Sequence, residues 1–296
     1  MTNHSDPAPR IEPRLAGYTG YLALPATQRA TGLGMDSVPP GRHPRDLAVL
    51  LLLADAGPLS QARAGEVLRL NRTIMVKIVD GLEDAGLVVR ERDAADRRRN
   101  AVRITEAGRA TMASMYEGMR RAEKVLTEPL TAAEHERLNR LLRLVIPDLA
   151  AALPEAVTGR TGFLLARVHR RLRDESDDAL RGLGLEPRHL GVLAALERAQ
   201  PCSQQRLAGC MGVSGPAVVR SIDELDAAGL LRRERSATDR REHVLEMTPL
   251  GAARFADALG ALDDVQRSLA ERVGKEELAE LNGLLVALTG ARPAGD

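Results

Sequence analysis

The 296-residue chain has no tryptophan, only five aromatic residues and two cysteines, and its formal net charge is +1. Each shortage excludes something. Cys202 and Cys210 cannot build a disulfide framework or a four-ligand zinc site, and so few thiols suit a reducing cytosol. They flank one expected helix and read as two small, partly buried residues, because only exposed thiols of low pKa react readily. No run of about 18 apolar residues occurs, so no membrane span is expected. Residues 1–14 lack a basic stretch followed by an apolar one; they read as a disordered leader and not as a secretory signal. Phosphate-binding Gly loops ending in Lys-Ser/Thr, His-Glu-x-x-His and nucleophile–base sets are also missing. Neither an enzyme, nor a cofactor, nor a metal site is therefore expected. With a net charge of +1, any basic footprint has to be local.

What the chain does have is a repeat. Asp80-Gly81-Leu82-Glu83-Asp84-Ala85-Gly86-Leu87 runs into Arg90-Glu91-Arg92, a polar loop from Asp93 to Asn100, and Val102-Arg103-Ile104-Thr105. The pattern returns as Asp223-Glu224-Leu225-Asp226-Ala227-Ala228-Gly229-Leu230, Arg233-Glu234-Arg235, a loop from Ser236 to Arg241, and Leu245-Glu246-Met247-Thr248. Gly229 lies 143 positions after Gly86, and the same step takes Asp96 to Asp239, Gly108 to Gly251 and Pro44-Arg45 to Pro187-Arg188. A repeat of this length is an architecture. It divides the chain into residues 15–148 and 160–296, two copies of one domain, with 149–159 as a short linker.

Within each copy the signals follow one order. Pro44 and Pro187 open a helix, Ser60 and Ser203 cap a second, and Asn71 and Ser214 cap a third that ends at Gly86 or Gly229. A two-stranded hairpin follows, about 87–92 with 101–105 and about 230–235 with 243–247. Thr105 and Thr248 then cap a long helix, and a last amphipathic helix closes the copy. The starts differ. Pro25 should break or kink a helix over 15–30, and 24–41 reads as degenerate loop, whereas 163–183 reads as a helix. Between Arg90 and Arg103 there are six Arg against three acids, and between Arg232 and Glu246 five against four.

Three short helices and a hairpin with a basic tip describe a winged helix-turn-helix. The third helix fits a major groove about 12 Å wide, and a basic hairpin suits a narrow, electronegative minor groove. The expected fold is mainly α with small β wings: two winged helix-turn-helix domains plus a helical dimerisation-type region. In the wings Arg92, Arg97, Arg98, Arg99, Arg235, Arg240 and Arg241 are the DNA-contacting candidates, with Asp96 and Asp239 orienting them. On the third helices the candidates are Asn71, Arg72, Thr73, Lys77, Ser214, Arg220 and Ser221. Copy one carries more hydrogen-bonding side chains there, because copy two has Gly215-Pro216-Ala217-Val218-Val219. Copy one is expected to read more sequence, and copy two to supply phosphate and wing contacts.

These residues resemble the MarR family of bacterial transcription regulators. The likeness rests on Asp80-x-Leu82-x-x-Ala85-Gly86-Leu87, Arg90, Asp96-Arg97-Arg98 and Thr105-x-x-Gly108, and again on Asp223, Leu225, Ala228-Gly229-Leu230, Arg233, Asp239-Arg240-Arg241, Thr248 and Gly251. It implies an intramolecular pseudo-dimer in which one chain stands for two interlocked subunits, further homodimerisation not being required. It also implies a cytoplasmic regulator, on the nucleoid when bound, whose partner is a double-stranded DNA operator. The expected sign is repression, relieved by a small phenolic or antibiotic-like effector and involving no membrane. Such effectors sit between dimerisation helices and winged domain, which makes Tyr18, Tyr21, Tyr116, Phe163 and Phe255, with His43, His169 and His189, the candidate pocket residues. The alternative is a ligand sensor or protein-interaction module that has lost DNA binding or binds DNA without specificity.

Overall fold

A computed structural model describes residues 10–92, 100–153, 155–211, 215–235 and 243–293. Strand β1 (Arg10–Ile11) and a 3-10 turn at Pro13–Leu15 precede α1 (Thr19–Asp36). Helix α2 (Pro44–Ala56), β2 (Leu59–Ser60), α3 (Gln61–Val67) and α4 (Arg72–Asp84) lead to the hairpin β3 (Val88–Arg92) and β4 (Asn100–Ile104). Helices α5 (Glu106–Thr127) and α6 (Ala132–Val145) complete the first copy, and α7 (Pro147–Ala152) and α8 (Glu155–Thr158) follow. The second copy runs through α9 (Thr161–Leu180), α10 (Pro187–Ala199), β5 (Cys202–Ser203), α11 (Gln204–Met211) and α12 (Gly215–Ala227). It ends with β6 (Leu231–Arg235), β7 (His243–Met247), α13 (Pro249–Val273), α14 (Lys275–Thr289) and β8 (Arg292–Pro293). The protein is mainly helical, with two small antiparallel sheets of order β2-β4-β3 and β5-β7-β6.

Element ends have local causes. Ser60, Asn71, Thr105, Thr131 and Thr248 each accept a hydrogen bond from a backbone N–H one turn into the helix they cap. Such a cap stabilises a helix by about 1 kcal/mol relative to alanine. The hairpins pair Val88 with Ile104 and Arg92 with Asn100, and Leu231 with Met247 and Arg235 with His243. In that register Val88, Val102 and Ile104 of the first wing, and Leu231 and Leu245 of the second, are buried.

Three expectations change at the start and middle of the chain. Pro25 lies inside α1 and does not end it. An interior proline costs about 3 kcal/mol, yet Leu22, Ala23 and Ala26 beside it are buried, and burial of that face keeps the helix continuous. The helix also runs through Gly32 and Gly34, because Gly34 lets it approach α2 and α5: a Cβ there would stand 3.2 Å from Pro44 Cγ and 3.5 Å from Met119 Cε. Residues 10–14, read as leader, carry β1, which pairs in parallel with β8, and the 3-10 turn that buries Leu15. The linker segment holds the end of α7 and all of α8.

The chain forms two compact units, Met1–Ala26 with Val168–Asp296, and Thr27–Arg167. The cuts fall inside α1 and α9, so each unit contains the start or the remainder of a helix belonging to the other copy. In the first unit, Leu15 joins a core built by Leu180, Leu193, Leu196, Leu207, Ile222, Leu225 and Phe255. In the second, Leu50, Leu53, Leu68, Met75, Leu82, Met115, Leu138 and Leu142 are all buried.

Each unit contains the same polar clamp at the start of a helix. In the second unit, the Glu123 carboxylate accepts from the Thr161 backbone N–H at 2.7 Å, and the Thr161 hydroxyl donates to Asn139 at 2.9 Å. His135 Nε2 completes this clamp, 2.9 Å from the Thr161 hydroxyl and 3.3 Å from Glu123. In the first unit, Gln266 accepts from the Thr19 N–H at 3.2 Å, and the Thr19 hydroxyl donates to Asn282 at 2.7 Å. Gln266 and Asn282 stand 143 positions after Glu123 and Asn139.

Candidate nucleic-acid interface

Helix α4 is amphipathic in a way that leaves a polar face outward. Met75, Val79 and Leu82 are buried, while Arg72, Thr73, Lys77 and Asp80 are exposed. Asn71 spends its side-chain oxygen on the cap, accepting from the Ile74 N–H at 2.8 Å. Among the described residues, Arg72 and Lys77 make no ion pair. On α12, Arg220 is exposed and pairs with Glu224 at 2.8 Å. Ser221 is corrected: it is only 4% exposed, on the core side of α12 next to buried Ile222, so it cannot reach a groove.

A brace fixes the helix to the wing. Arg90, on β3, donates to Asp80 and Glu83 of α4 and reaches Gln61 of α3 at 3.2 Å. Its counterpart Arg233 pairs with Asp223 and with Asp226. One guanidinium therefore holds third helix and hairpin together in each copy, and this is the physical content of the Asp80…Arg90 spacing. Gly86 and Gly229 make the turn between them with φ of 69° and 70°, a left-handed conformation that glycine adopts without strain.

The other end of each hairpin is tied to the same turn. Thr105 donates to the Gly86 carbonyl at 2.7 Å and accepts from the Gly108 N–H at 3.0 Å; Thr248 does the same with Gly229 and Gly251. Gly108 is required by proximity, since a Cβ there would sit 2.0 Å from the Leu87 carbonyl oxygen, and at Gly251 1.9 Å from that of Leu230. Gly108→Ala is expected to lower stability by about 1–3 kcal/mol, the usual cost of overpacking. Gly81→Ala, where a Cβ meets nothing within 4 Å, should be neutral or stabilising. Thermal unfolding of the two variants checks both.

The predicted wing tips, Asp96, Arg97, Arg98 and Arg99 with Asp239, Arg240 and Arg241, lie outside the described residues, as does Ser214. Arg92 and Arg235, at the strand ends leading into the wings, are exposed.

A profile of the MarR family matches twice, at residues 41–99 and 183–242. A putative transcriptional regulatory protein for the hcr operon of Thauera aromatica is 30% identical over 142 residues, covering 48% of this chain and 86% of that protein. The chain belongs to the MarR family. That relative thus matches over most of its own length while accounting for about half of this chain. Among solved structures, the transcriptional repressor CouR on a 23-mer DNA duplex is 27% identical, covering 46% of this chain and 97% of that one, with a TM-score of 0.43. The regulator PcaV of Streptomyces coelicolor with its natural ligand is 29% identical, covering 45% and 94%, with a TM-score of 0.42.

The residues expected to wall an effector pocket divide between the two units of this MarR chain. Tyr18, Tyr21, His169, His189 and Phe255 fall in the first unit, and His43, Tyr116 and Phe163 in the second. Tyr18 donates to Asp263 at 2.8 Å, and the Tyr21 hydroxyl accepts from the Glu12 N–H at 3.0 Å. Arg160 lies over the Tyr116 ring at 4.1 Å and Arg167 over Phe163 at 5.0 Å. Phe255 is 1% exposed and belongs to the core. Two histidines are corrected. His43 caps α2, accepting from the Arg45 N–H at 3.0 Å, and His189 binds the Glu186 N–H and Glu224 at the start of α10. His189 spends both ring nitrogens there, whereas His43 spends Nδ1 and also lines a cleft with Arg45, Lys77 and Gly81. His169 differs, for its Nδ1 is buried with no hydrogen-bond partner among the described residues. Burial, and after it the Arg173 charge, hold its pKa below the ordinary value.

Cys202 is 2% exposed, and burial raises its thiol pKa, the opposite of what a reactive thiolate needs. No described helix is long and apolar enough to cross a membrane. The polar clamps and the side chains around Glu224 were absent from the sequence reading. The 143-residue offset was the signal that pairs Glu123 with Gln266 and Asn139 with Asn282.

Proposed function

We propose that the chain is a sequence-specific DNA-binding regulator that works as a one-chain pseudo-dimer. The observation that carries the reading is the helix-to-wing brace, built twice, behind an α4 face whose Arg72, Thr73 and Lys77 are exposed. A braced helix and hairpin hold their mutual angle, which is what simultaneous entry into a major and an adjacent minor groove demands. Two such elements in one chain suit a pseudo-palindromic operator with half-sites about 34 Å apart. The wing arginines add charge for the minor groove or its phosphates. That one relative is a repressor on DNA and another carries its natural ligand supports a repressor relieved by a small molecule. In this chain the unpartnered His169 nitrogen, in the same unit as Tyr18 and Tyr21, favours an effector with a polar group to offer it. Release would follow if the effector binds better to a conformation whose recognition helices no longer match successive grooves.

The test is fluorescence anisotropy on the protein's own promoter DNA at two salt concentrations, beside sedimentation to count chains. Specific binding by one chain, with affinity falling steeply as salt rises, is the expected result. Binding that requires two chains refutes the one-chain pseudo-dimer. Absence of binding to any fragment of that promoter region refutes the DNA-binding reading and leaves a ligand sensor.

A further inference from the structure

Gly81 and Glu224 occupy the same place in α4 and α12, 143 positions apart. On α12 the Glu224 carboxylate is a hub. One oxygen accepts from Arg188 at 2.7 Å and lies 2.8 Å from His189 Nε2, and the other accepts from Arg220 at 2.8 Å; Arg188 also donates to both oxygens of Glu186. Hydrogen bonds from Arg188, Arg220 and His189, in that order of effect, hold its carboxyl at about 2, so it is charged at any pH where the protein would meet DNA. Isolated surface pairs are weak, but a carboxylate shared by three donors is a network.

Copy one lacks that hub. Arg45 and Lys77, the counterparts of Arg188 and Arg220, are exposed and have no acidic partner among the described residues. Asp46, the nearest acid in sequence, is buried and turned into the helix cap, where it accepts from the His43 N–H at 3.1 Å. In the place of Glu224 there is a cleft of about 460 Å³ lined by Arg42, His43, Arg45, Ile74, Lys77 and Gly81, among others.

We infer that Glu224 is a specificity-determining residue that withholds Arg188 and Arg220 from DNA phosphates, while Gly81 leaves Arg45 and Lys77 open to them, so that the two copies grip DNA unequally. This rests on the DNA-binding reading proposed above. The geometry is simple: because Arg188 and Arg220 reach one carboxylate, a phosphate that approaches either meets the Glu224 charge as well. A phosphate at the equivalent place in copy one meets Arg45 and Lys77, while Asp46, which also lines the cleft, is engaged by the His43 N–H and Arg42. Copy two, otherwise the copy expected to rely on phosphate contacts, is then the weaker phosphate binder through its helices, and copy one dominates both terms.

The exchange of these two residues tests it. Glu224→Gly and Glu224→Gln should each raise affinity for the promoter fragment and steepen the slope of log affinity against log salt by about 1, the contribution of the Arg220 contact recovered while Arg188 stays beside Glu186. Gly81→Glu should do the reverse, weakening binding and flattening the slope by a similar amount; the site has room, since a Cβ on Gly81 meets nothing within 4 Å. If Glu224 only staples α10 to α12, then Glu224→Gly will melt earlier and bind more weakly, and Gly81→Glu will leave the slope unchanged. That pair of results overturns the inference, as does an unchanged slope in Glu224→Gln with normal melting. Wild-type protein that binds no DNA would overturn the proposed function and this inference together, and is recognised because no variant binds either.

Discussion

Alanine at both Arg72 and Lys77 is expected to weaken operator binding by about 2–4 kcal/mol, since base contacts are worth about 1–3 kcal/mol each and phosphate contacts less. The same double variant should flatten the salt slope by about 1–2. Both side chains are exposed, Lys77 on the side of α4 opposite the buried Met75, Val79 and Leu82 and Arg72 at the first position of the helix. Their removal therefore disturbs no packing, and melting should not change. Anisotropy titrations at two salt concentrations give both quantities. Equal affinity and slope in variant and wild type would remove α4 from the interface and leave the wings as the whole footprint. Arg98→Ala is expected to act in the same direction with a smaller effect, because one guanidinium gives one minor-groove or phosphate contact.

The sequence made the interface legible to different depths at different residues. Asp80 with Arg90, and Asp223 with Arg233, stood in the sequence only as members of a repeated pattern, and the structure supplies the reason in one guanidinium bridging helix and strand. The glycine at each third-helix exit was readable because only a left-handed residue reverses the chain there. Ser221 was misplaced because side-chain type alone does not fix helical phase: a hydroxyl one position beyond Arg220 points inward beside Ile222. Pro25 misled for the opposite reason. Proline is a strong local breaker, but tertiary burial of Leu22, Ala23 and Ala26 decides the segment. His43 and His189 looked like pocket residues by their nearness in sequence to aromatics, yet each sits at a helix start whose open N–H groups it satisfies. The collinear repeat does not itself show the interchange of helix starts between units; the family resemblance implied it, as interlocked subunits.

Those starts carry the other large effect. Glu123→Ala is expected to destabilise the Thr27–Arg167 unit by about 2–4 kcal/mol, because it leaves the backbone N–H groups of Thr161 and Gly162 and the His135 ring without their acceptor in a largely buried place. The Glu123 side chain is only 19% exposed. Burial alone would raise its pKa, but the bonds from His135, Thr161 and Gly162 outweigh it and hold the carboxyl below its ordinary value. A folded-state pKa below the unfolded one means that the stabilisation is complete above the unfolded value, about 4.3, and is lost as pH falls through the folded one. Acidification below about pH 4.3 should therefore loosen this clamp first. The clamp at Thr19 uses the amide Gln266 in place of a carboxylate and has no such dependence. Hydrogen exchange separates the two within one molecule. In Glu123→Ala, amides of α5, α6 and the first turn of α9 should exchange faster, while α13 and α14 keep their protection. Glu123→Gln, which gives the second unit the residue of the first, should lose the acid dependence and keep most of the stability. Uniform exchange across both pairs of helices would show that the clamp is not the local fastening described here.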